Sequence, residues 1–166
     1  MSLNEHILNK YKREVFIETG LQDGESVDYA LKCNFKDIFS IEVDRHYVSL
    51  GLNKYVNNPN VHIIQGDSSV ELEKLLISVT ASPLIWLDAH PFREDMRLNQ
   101  CPLLAEIEAV GKHYDRLKPV LMIDDMRVFN EEDKNIIKEK VLAFAPDHVV
   151  YLDTRCGIRD IFCIEV

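Results

Sequence analysis

Hydrophobic residues along the chain fall into short continuous runs that alternate with segments of helical periodicity. Five such runs come first, and they are rich in β-branched and aromatic residues, which is typical of strands buried on both faces of a parallel sheet. They cover residues 15–17, 37–44, 61–65, 83–90 and 119–123. The repeated alternation of strand and helix predicts an α/β fold with a mostly parallel sheet.

The segments between the runs place apolar residues at helical spacing. Helices are predicted over residues 26–33, 45–56, 70–79, 102–114 and 131–144. Asp44 is expected to cap the second helix, and Pro102 suits the first turn of the fourth. Residues 91–101 show no clean period and carry Arg93 and Arg97, so they are predicted to form a loop over the site that recognises substrate.

The C-terminal segment departs from the alternation. Residues 148–153 and 159–166 read as two strands joined by a short loop that contains Cys156 and Gly157. Such a pair predicts an antiparallel hairpin, which gives an open, mostly parallel sheet with one reversed strand. The 166 residues are expected to form one domain, residues 1–166.

The most informative stretch joins the first strand to a glycine-bearing turn and a helix. It reads Glu18-x-Gly20-x-x-x-Gly24-x-Ser26, which is a poor cradle for a pyrophosphate because it lacks the G-x-G-x-x-G spacing. An acid at the strand end suits a ligand with a cationic amine, and the glycines leave room for it. The pattern therefore points to an amino-acid-bearing nucleoside such as S-adenosylmethionine. The alternative is a turn whose glycines serve only packing.

Acidic residues also follow the next two strands. Glu42 lies about 20 residues beyond the turn, where Rossmann-like folds place a ribose-binding carboxylate. Asp67 is positioned to accept a hydrogen bond from an adenine amino group, and Ser68 to donate one. For Glu42 a solvated strand end remains the alternative. For Asp67 and Ser68 the alternative is a helix N-cap.

The fourth and fifth strands end on the residues best suited to chemistry. Asp88 and His90 follow the fourth strand, at the expected reversal of strand order where open α/β sheets bind ligands. Asp124 and Asp125 follow the fifth. Together with Asp88 they offer three hard oxygen ligands, which suit Mg²⁺ or Ca²⁺. Helix capping and solvation remain the alternative for Asp125.

Charge and composition narrow the partners. The net charge of -9 and the lack of a basic run argue against a nucleic-acid-binding face and favour a small-molecule or protein substrate. No stretch approaches the roughly 18 consecutive apolar residues of a membrane span, and the polar start is unlike a signal peptide, so a cytoplasmic location is expected. The four cysteines show no paired spacing, which predicts free thiols rather than a zinc site.

Taken together, these residues resemble class I S-adenosylmethionine-dependent methyltransferases over nearly the whole chain. The motifs Glu18-Thr19-Gly20, Leu87-Asp88-Ala89-His90 and Ile123-Asp124-Asp125, with Gly24, Ser26 and Glu42, are similar to those of small-molecule O-methyltransferases related to catechol and macrocin O-methyltransferases. The resemblance implies a Rossmann-like open sheet of seven strands in the order 3-2-1-4-5-7-6, with the last strand antiparallel and helices on both faces.

The resemblance also implies roles for individual residues. Those expected around the cofactor are Glu18, Gly20, Gly24 and Ser26 at the methionine moiety, Glu42 at the ribose, Asp67 and Ser68 near adenine, and Asp88. Asp88, Asp124 and position 125 are expected to hold Mg²⁺ or another divalent cation that orients an acceptor hydroxyl. The implied reaction is O-methylation of a small-molecule hydroxyl.

The sequence departs from that pattern in three places. Asp125 replaces an asparagine, and Pro91 stands where the metal-dependent enzymes place a lysine, so His90 is the expected general base. The chain begins almost directly at the first strand, so the N-terminal helices that often cap the cofactor and shape the acceptor pocket are expected to be missing. These departures keep two alternatives open: a cofactor-binding module without activity and a spermidine-synthase-like aminopropyltransferase. The acceptor and a homodimeric state are left open.

Overall fold

The computed structural model describes residues 3–90, 97–146, 149–153 and 159–164. Within them, strands and helices alternate as the hydrophobic pattern predicts. The helices are α1 (Glu5–Lys10), α2 (Glu25–Lys32), α3 (Arg45–Lys54), α4 (Ser68–Ser78), α5 (Leu103–Leu117) and α6 (Glu131–Leu142). The strands are β1 (Val15–Thr19), β2 (Asp37–Glu42), β3 (Val61–Gln65), β4 (Pro83–Leu87), β5 (Val120–Ile123), β6 (Val149–Asp153) and β7 (Arg159–Ile164).

The seven strands form one sheet in the order β3-β2-β1-β4-β5-β7-β6. β1 to β5 pair in parallel, whereas β7 runs antiparallel to both β5 and β6. The predicted order and the predicted reversed strand are therefore confirmed. Thr19 lies in register with Ile41 on one side and Leu87 on the other, so the carboxyl ends of the central strands finish at the same level.

Helices cover both faces of the sheet, as expected. On one face, Val15, Ile17 and their neighbours pack in a single core with apolar residues of α4, α5 and α6. On the other face, Phe16 and Trp86 pack with residues of α1 and α2. Because successive strand residues point to opposite faces, strands covered on both sides read as continuous apolar runs rather than alternating ones.

The helix predictions are confirmed with small shifts at the ends. Asp44 caps α3, since its carboxylate accepts the His46 N–H at 2.7 Å. Pro102 precedes α5 as its N-cap residue. Two 3₁₀ turns, Leu98–Gln100 and Met126–Val128, interrupt the connections. None of the described helices is both long and apolar enough to cross a bilayer.

Parts of two predictions lie outside the described residues. They are residues 91–96 of the loop that carries Arg93, and the hairpin connection with Cys156 and Gly157. The rest of that loop contains the turn at Leu98–Gln100 and Arg97, whose Nε donates to the buried Asp133 carboxylate at 3.0 Å.

The expected lack of N-terminal helices that cap a cofactor stays a prediction. The sequence did not predict α1, however, which precedes the first strand. Its N-cap Asn4 accepts the Ile7 N–H at 3.1 Å, and Leu8 is completely buried. Leu3, Ile7, Leu8 and Tyr11 all join the core beneath α2. A helix of six residues would be marginal alone, so this burial is what stabilises it.

We predict that Leu8→Ala lowers the free energy of unfolding by about 2–4 kcal/mol, because it removes a fully buried side chain and leaves a cavity. Urea unfolding followed by circular dichroism measures the change. Leu52→Ala, at a helical leucine that is 54% exposed, is the matched control and should shift stability by less than about 0.5 kcal/mol. Equal effects of the two changes would mean that α1 is not packed as described.

Candidate functional site

A pocket of about 390 Å³ opens at the carboxyl ends of β1 to β4. Of the residues that the sequence assigned to the site, it is lined by Gly20, Glu42, Asp67, Ser68, Asp88 and His90. Its other lining residues are Gln22, Ile41, Val43, Asp44, Tyr47, Gly66, Ala89 and Pro102. Strand-end residues that are far apart in sequence thus meet around one cavity, as parallel register requires.

Gly20 allows the ends of β1 and β4 to approach each other closely. Its φ is +88°, and a Cβ there would lie 2.5 Å from the Asp88 carbonyl oxygen. The Gly20 N–H donates to Ile41 O at 2.9 Å, which extends the sheet by one further bond. Any larger residue would push the two strand ends apart and change the pocket wall.

Glu42 connects the end of β2 to the turn after β1. Its carboxylate accepts the N–H groups of Leu21 at 3.0 Å, Gln22 at 3.1 Å and Asp44 at 2.8 Å. A carboxylate has about four acceptor positions, so these bonds leave about one for a ligand. Glu42 is therefore held rigidly by the backbone while it lines the pocket.

Glu18, Gly24 and Ser26 do not line the pocket. Glu18 is completely buried and accepts hydrogen bonds from the hydroxyls of Ser26 and Ser40. Burial raises the pKa of Glu18 to about 7, against the lowering effect of these two bonds. Gly24 has a φ of +75° and lies against the Tyr55 hydroxyl. Direct contact of these three residues with a cofactor stays a prediction.

Asp67 and Ser68 stand at the opposite wall, where β3 leads into α4. Asp67 is the N-cap of the helix, since its carboxylate accepts the Ser69 N–H at 2.9 Å. The capping alternative is thus observed, yet both residues also line the pocket. The two roles are compatible because the capping bond uses one of the two carboxylate oxygens.

The structure brings together Asp88, His90 and Asp125, whose ligand atoms all lie within 4.8 Å of one another. Burial raises the pKa of Asp88 to about 8, and the nearby charges of Asp124 and Asp125 add to this effect. His90 is 4% exposed and packs against Phe129 with ring centroids 5.4 Å apart. Burial lowers its pKa, so the imidazole is neutral and can act as a ligand or a base.

This cluster differs from the predicted set of Asp88, Asp124 and Asp125. The Asp124 carboxylate accepts the Asp125 N–H at 2.8 Å and is 2% exposed, whereas His90 takes its place beside the other two acids. Neither ring nitrogen of His90 has a hydrogen-bond partner among the described residues. Buried polar atoms usually have a hydrogen-bond partner, so the two unpaired ring nitrogens of His90 require an explanation.

Arg127, which the sequence did not single out, pairs with Asp125 at 2.7 Å.

No family model matches the chain, and no curated protein does. Solved structures do match. A Podospora anserina methyltransferase with bound SAH aligns with a TM-score of 0.60 at 12% identity, over 97% of this chain and 75% of that one.

Two further structures give the same result. An O-methyltransferase from Bacillus cereus in complex with SAH aligns with a TM-score of 0.63 at 12% identity, over 98% of this chain and 78% of that one. An rRNA methylase from Streptococcus thermophilus aligns with a TM-score of 0.60 at 14% identity, over 97% and 92% of the chains. The chain has the class I methyltransferase fold.

A buried acid near the pocket was missed by sequence reasoning. Glu106 on α5 is 1% exposed, and burial raises its pKa to about 7. The helical spacing does place this acid among core residues, since Glu106 lies three residues after Leu103 and four before Val110, on the apolar side of α5. A charged residue on the core side of a predicted helix is therefore worth marking as a candidate.

We predict that Glu18→Gln changes how stability depends on pH. The folded pKa of Glu18 lies above its ordinary value of 4.5, so wild-type protein loses stability as the pH rises from about 4.5 to about 7. The variant lacks this loss. Its free energy of unfolding relative to wild type should therefore increase by about 2–3 kcal/mol across that range.

Urea denaturation at both ends of the pH range measures the difference. Glu132→Gln, at a side chain that is 79% exposed, serves as the matched control and should show no such trend. A pH-independent difference between Glu18→Gln and wild type would contradict a raised pKa at Glu18.

Proposed function

We propose that the protein is an S-adenosylmethionine-dependent methyltransferase that methylates a hydroxyl oxygen of a small-molecule acceptor. The observation that carries the proposal is the meeting of Gly20, Glu42, Asp67, Ser68 and Asp88 around a single pocket. Its volume of about 390 Å³ falls in the range of small-molecule sites. Its position, at the carboxyl ends of parallel strands, is where open α/β sheets bind ligands.

The pocket offers a matching surface to each part of this cofactor. The remaining acceptor position of Glu42 suits a ribose hydroxyl, and the Asp67 carboxylate suits an adenine amino group. Val43 is 69% exposed although apolar, and it lines the pocket beside Glu42, where it can cover one face of the base. The backbone of Gly20 leaves room for the methionine moiety.

Electrostatics favours a positively charged ligand at the β1 end. Glu18 is completely buried and Asp88 is half-buried, and the negative charge of Glu18 adds to the raised pKa of Asp88. A sulfonium or ammonium group nearby would stabilise the ionised carboxylates, because opposite charges attract strongly where water is excluded. In this proposal the negative charge of Glu18 acts on the ligand at a distance, because Glu18 does not line the pocket.

Methyl transfer from a sulfonium requires mainly positioning, because the leaving group is already activated. The methyl carbon passes from sulfur to the acceptor oxygen, and the acceptor loses its hydroxyl proton. Neutral His90 lines the pocket and is able to accept that proton. Its two ring nitrogens, which have no partner among the described residues, are consistent with this role.

The same cluster fits a divalent cation. Two carboxylates and a neutral imidazole would hold it at Asp88, Asp125 and His90, and the imidazole favours a transition metal over Ca²⁺. Such an ion would lower the pKa of an acceptor hydroxyl. Because one imidazole nitrogen cannot bind a metal and accept a proton at once, activity in the presence of a chelator separates the two roles of His90.

A nucleic-acid acceptor is less well supported than a small molecule. The chain carries a net charge of -9, and acids such as Glu42, Asp44 and Asp67 line the pocket. Binding a phosphate backbone requires clustered positive charge instead. The rRNA methylase among the similar structures shares the fold, and a fold by itself does not select a substrate.

We predict that isothermal titration calorimetry detects binding of S-adenosylhomocysteine to wild-type protein and that Glu42→Gln weakens it at least about tenfold. The glutamine keeps the size but turns an N–H₂ group toward backbone donors, so the turn and the ribose acceptor are both lost. Glu132→Gln is the control and should bind as wild type does. No heat of binding at millimolar ligand would rule out the proposal.

We also predict that Mn²⁺ binds to the cluster of Asp88, His90 and Asp125. Titration followed by electron paramagnetic resonance should show affinity lowered at least about tenfold in His90→Ala and in Asp125→Asn, because each removes a ligand atom. Asp115→Asn, at a side chain that is 99% exposed, is the control. Loss of binding in Asp124→Asn with no effect of His90→Ala would favour the original set of three acids instead.

A further inference from the structure

Glu106 lies in the first turn of α5 and points into the protein beneath the pocket. It is 1% exposed, and burial raises the pKa of its carboxyl group more than the nearby hydroxyls of Ser68 and Thr19 lower it. Ser68 is the first residue of α4, and Thr19 is the last residue of β1. One side chain thus joins three elements that surround the pocket.

The carboxyl group of Glu106 is not explained by stability. Its Oε1 has no hydrogen-bond partner among the described residues, and the negative charge of Asp67 opposes its ionisation. A buried carboxyl group with an unfilled oxygen destabilises the folded state, whereas an apolar side chain of similar size would not. A residue that lowers stability in this way is a candidate for a functional role.

The contacts of Glu106 lead to both walls of the pocket. On one side, Ser68 lines the pocket next to Asp67. On the other, Thr19 Oγ1 accepts the Asp88 N–H at 3.2 Å, while Thr19 O accepts the same N–H at 3.1 Å. Asp88 lines the opposite wall. The carboxyl group of Glu106 therefore lies between Ser68 on one wall and the hydrogen-bonded Thr19 and Asp88 on the other.

We propose that Glu106 is a positioning residue that holds Ser68 and Thr19 in one orientation and thereby fixes the two walls of the pocket at the spacing that a nucleoside ligand requires. It does not touch the ligand and acts through the two hydroxyl groups. The proposal deepens the proposed function and rests on it, since the ligand used to test it is S-adenosylhomocysteine.

The test compares affinity with stability in Glu106→Leu and Glu106→Gln. Glu106→Leu should weaken binding of S-adenosylhomocysteine about tenfold, measured by calorimetry, while its melting temperature stays equal to that of wild type or rises. Glu106→Gln keeps an acceptor for both hydroxyls and should bind within about threefold of wild type. Glu108→Leu, on the exposed side of the same helix, is the control and should leave affinity unchanged.

Two results would overturn the proposal. If Glu106→Leu lowers melting temperature and affinity together, its role is structural. If the variant binds as wild type does, it has no role in the pocket. Ser68→Ala provides a test that does not depend on how Glu106→Leu folds: it should lose about as much affinity as that variant, and unchanged affinity would contradict the proposal.

These outcomes are separate from failure of the proposed function. In that case wild-type protein itself would bind no S-adenosylhomocysteine, whatever residue stands at position 106. Wild-type binding that is insensitive to Glu106→Leu and Ser68→Ala would leave the proposed function intact and remove only the role of Glu106.

Discussion

The close approach of the β1 and β4 ends is the constraint on which the rest of the site depends. At Gly20 a single added carbon would lie 2.5 Å from the Asp88 carbonyl oxygen. Only glycine combines this contact with a φ of +88° at little cost. Because of it, the Asp88 N–H can bond to Thr19 while the Asp88 side chain enters the pocket. The register of the parallel strands then brings Glu42 and Asp124 to the same level.

The same packing concentrates buried acids around one end of the sheet. Glu18, Asp88 and Glu106 all have raised pKa values, and burial is the largest cause for each. A protein that serves only as a stable scaffold has no reason to keep three such groups, since apolar residues would pack there at a lower free energy. Because their pKa values lie near or above neutral pH, these groups are partly protonated there. A cation bound near them, as proposed above, would favour their ionised forms and so couple binding to protonation.

Sequence reasoning predicted the strands, the glycine turn and six of the residues that line the pocket, because apolar runs and the acids that end them are local signals, whereas the strand order was implied by the family resemblance. It missed α1, since six residues provide too little periodicity and depend on burial against α2. It also grouped Asp124 with Asp88. Successive residues at a strand end point in different directions, and Asp125 takes a left-handed conformation with φ at 51°, which the sequence does not specify. This backbone conformation goes with a cluster in which Asp125, rather than Asp124, lies next to Asp88 and His90.

The fold and the chemistry are therefore determined by different residues. Identities of 12–14% to methyltransferases of unlike substrates are enough for the same layered sheet, because that architecture requires only apolar faces and turns. Under the proposed function, the acceptor would be selected by the few side chains at the ends of β4 and β5. There, Asp125 already pairs with Arg127 through one oxygen. At the proposed metal site, an ion bound to Asp88 and His90 would share Asp125 with that guanidinium group. Because both are cations, Arg127 would compete for Asp125 and weaken metal binding.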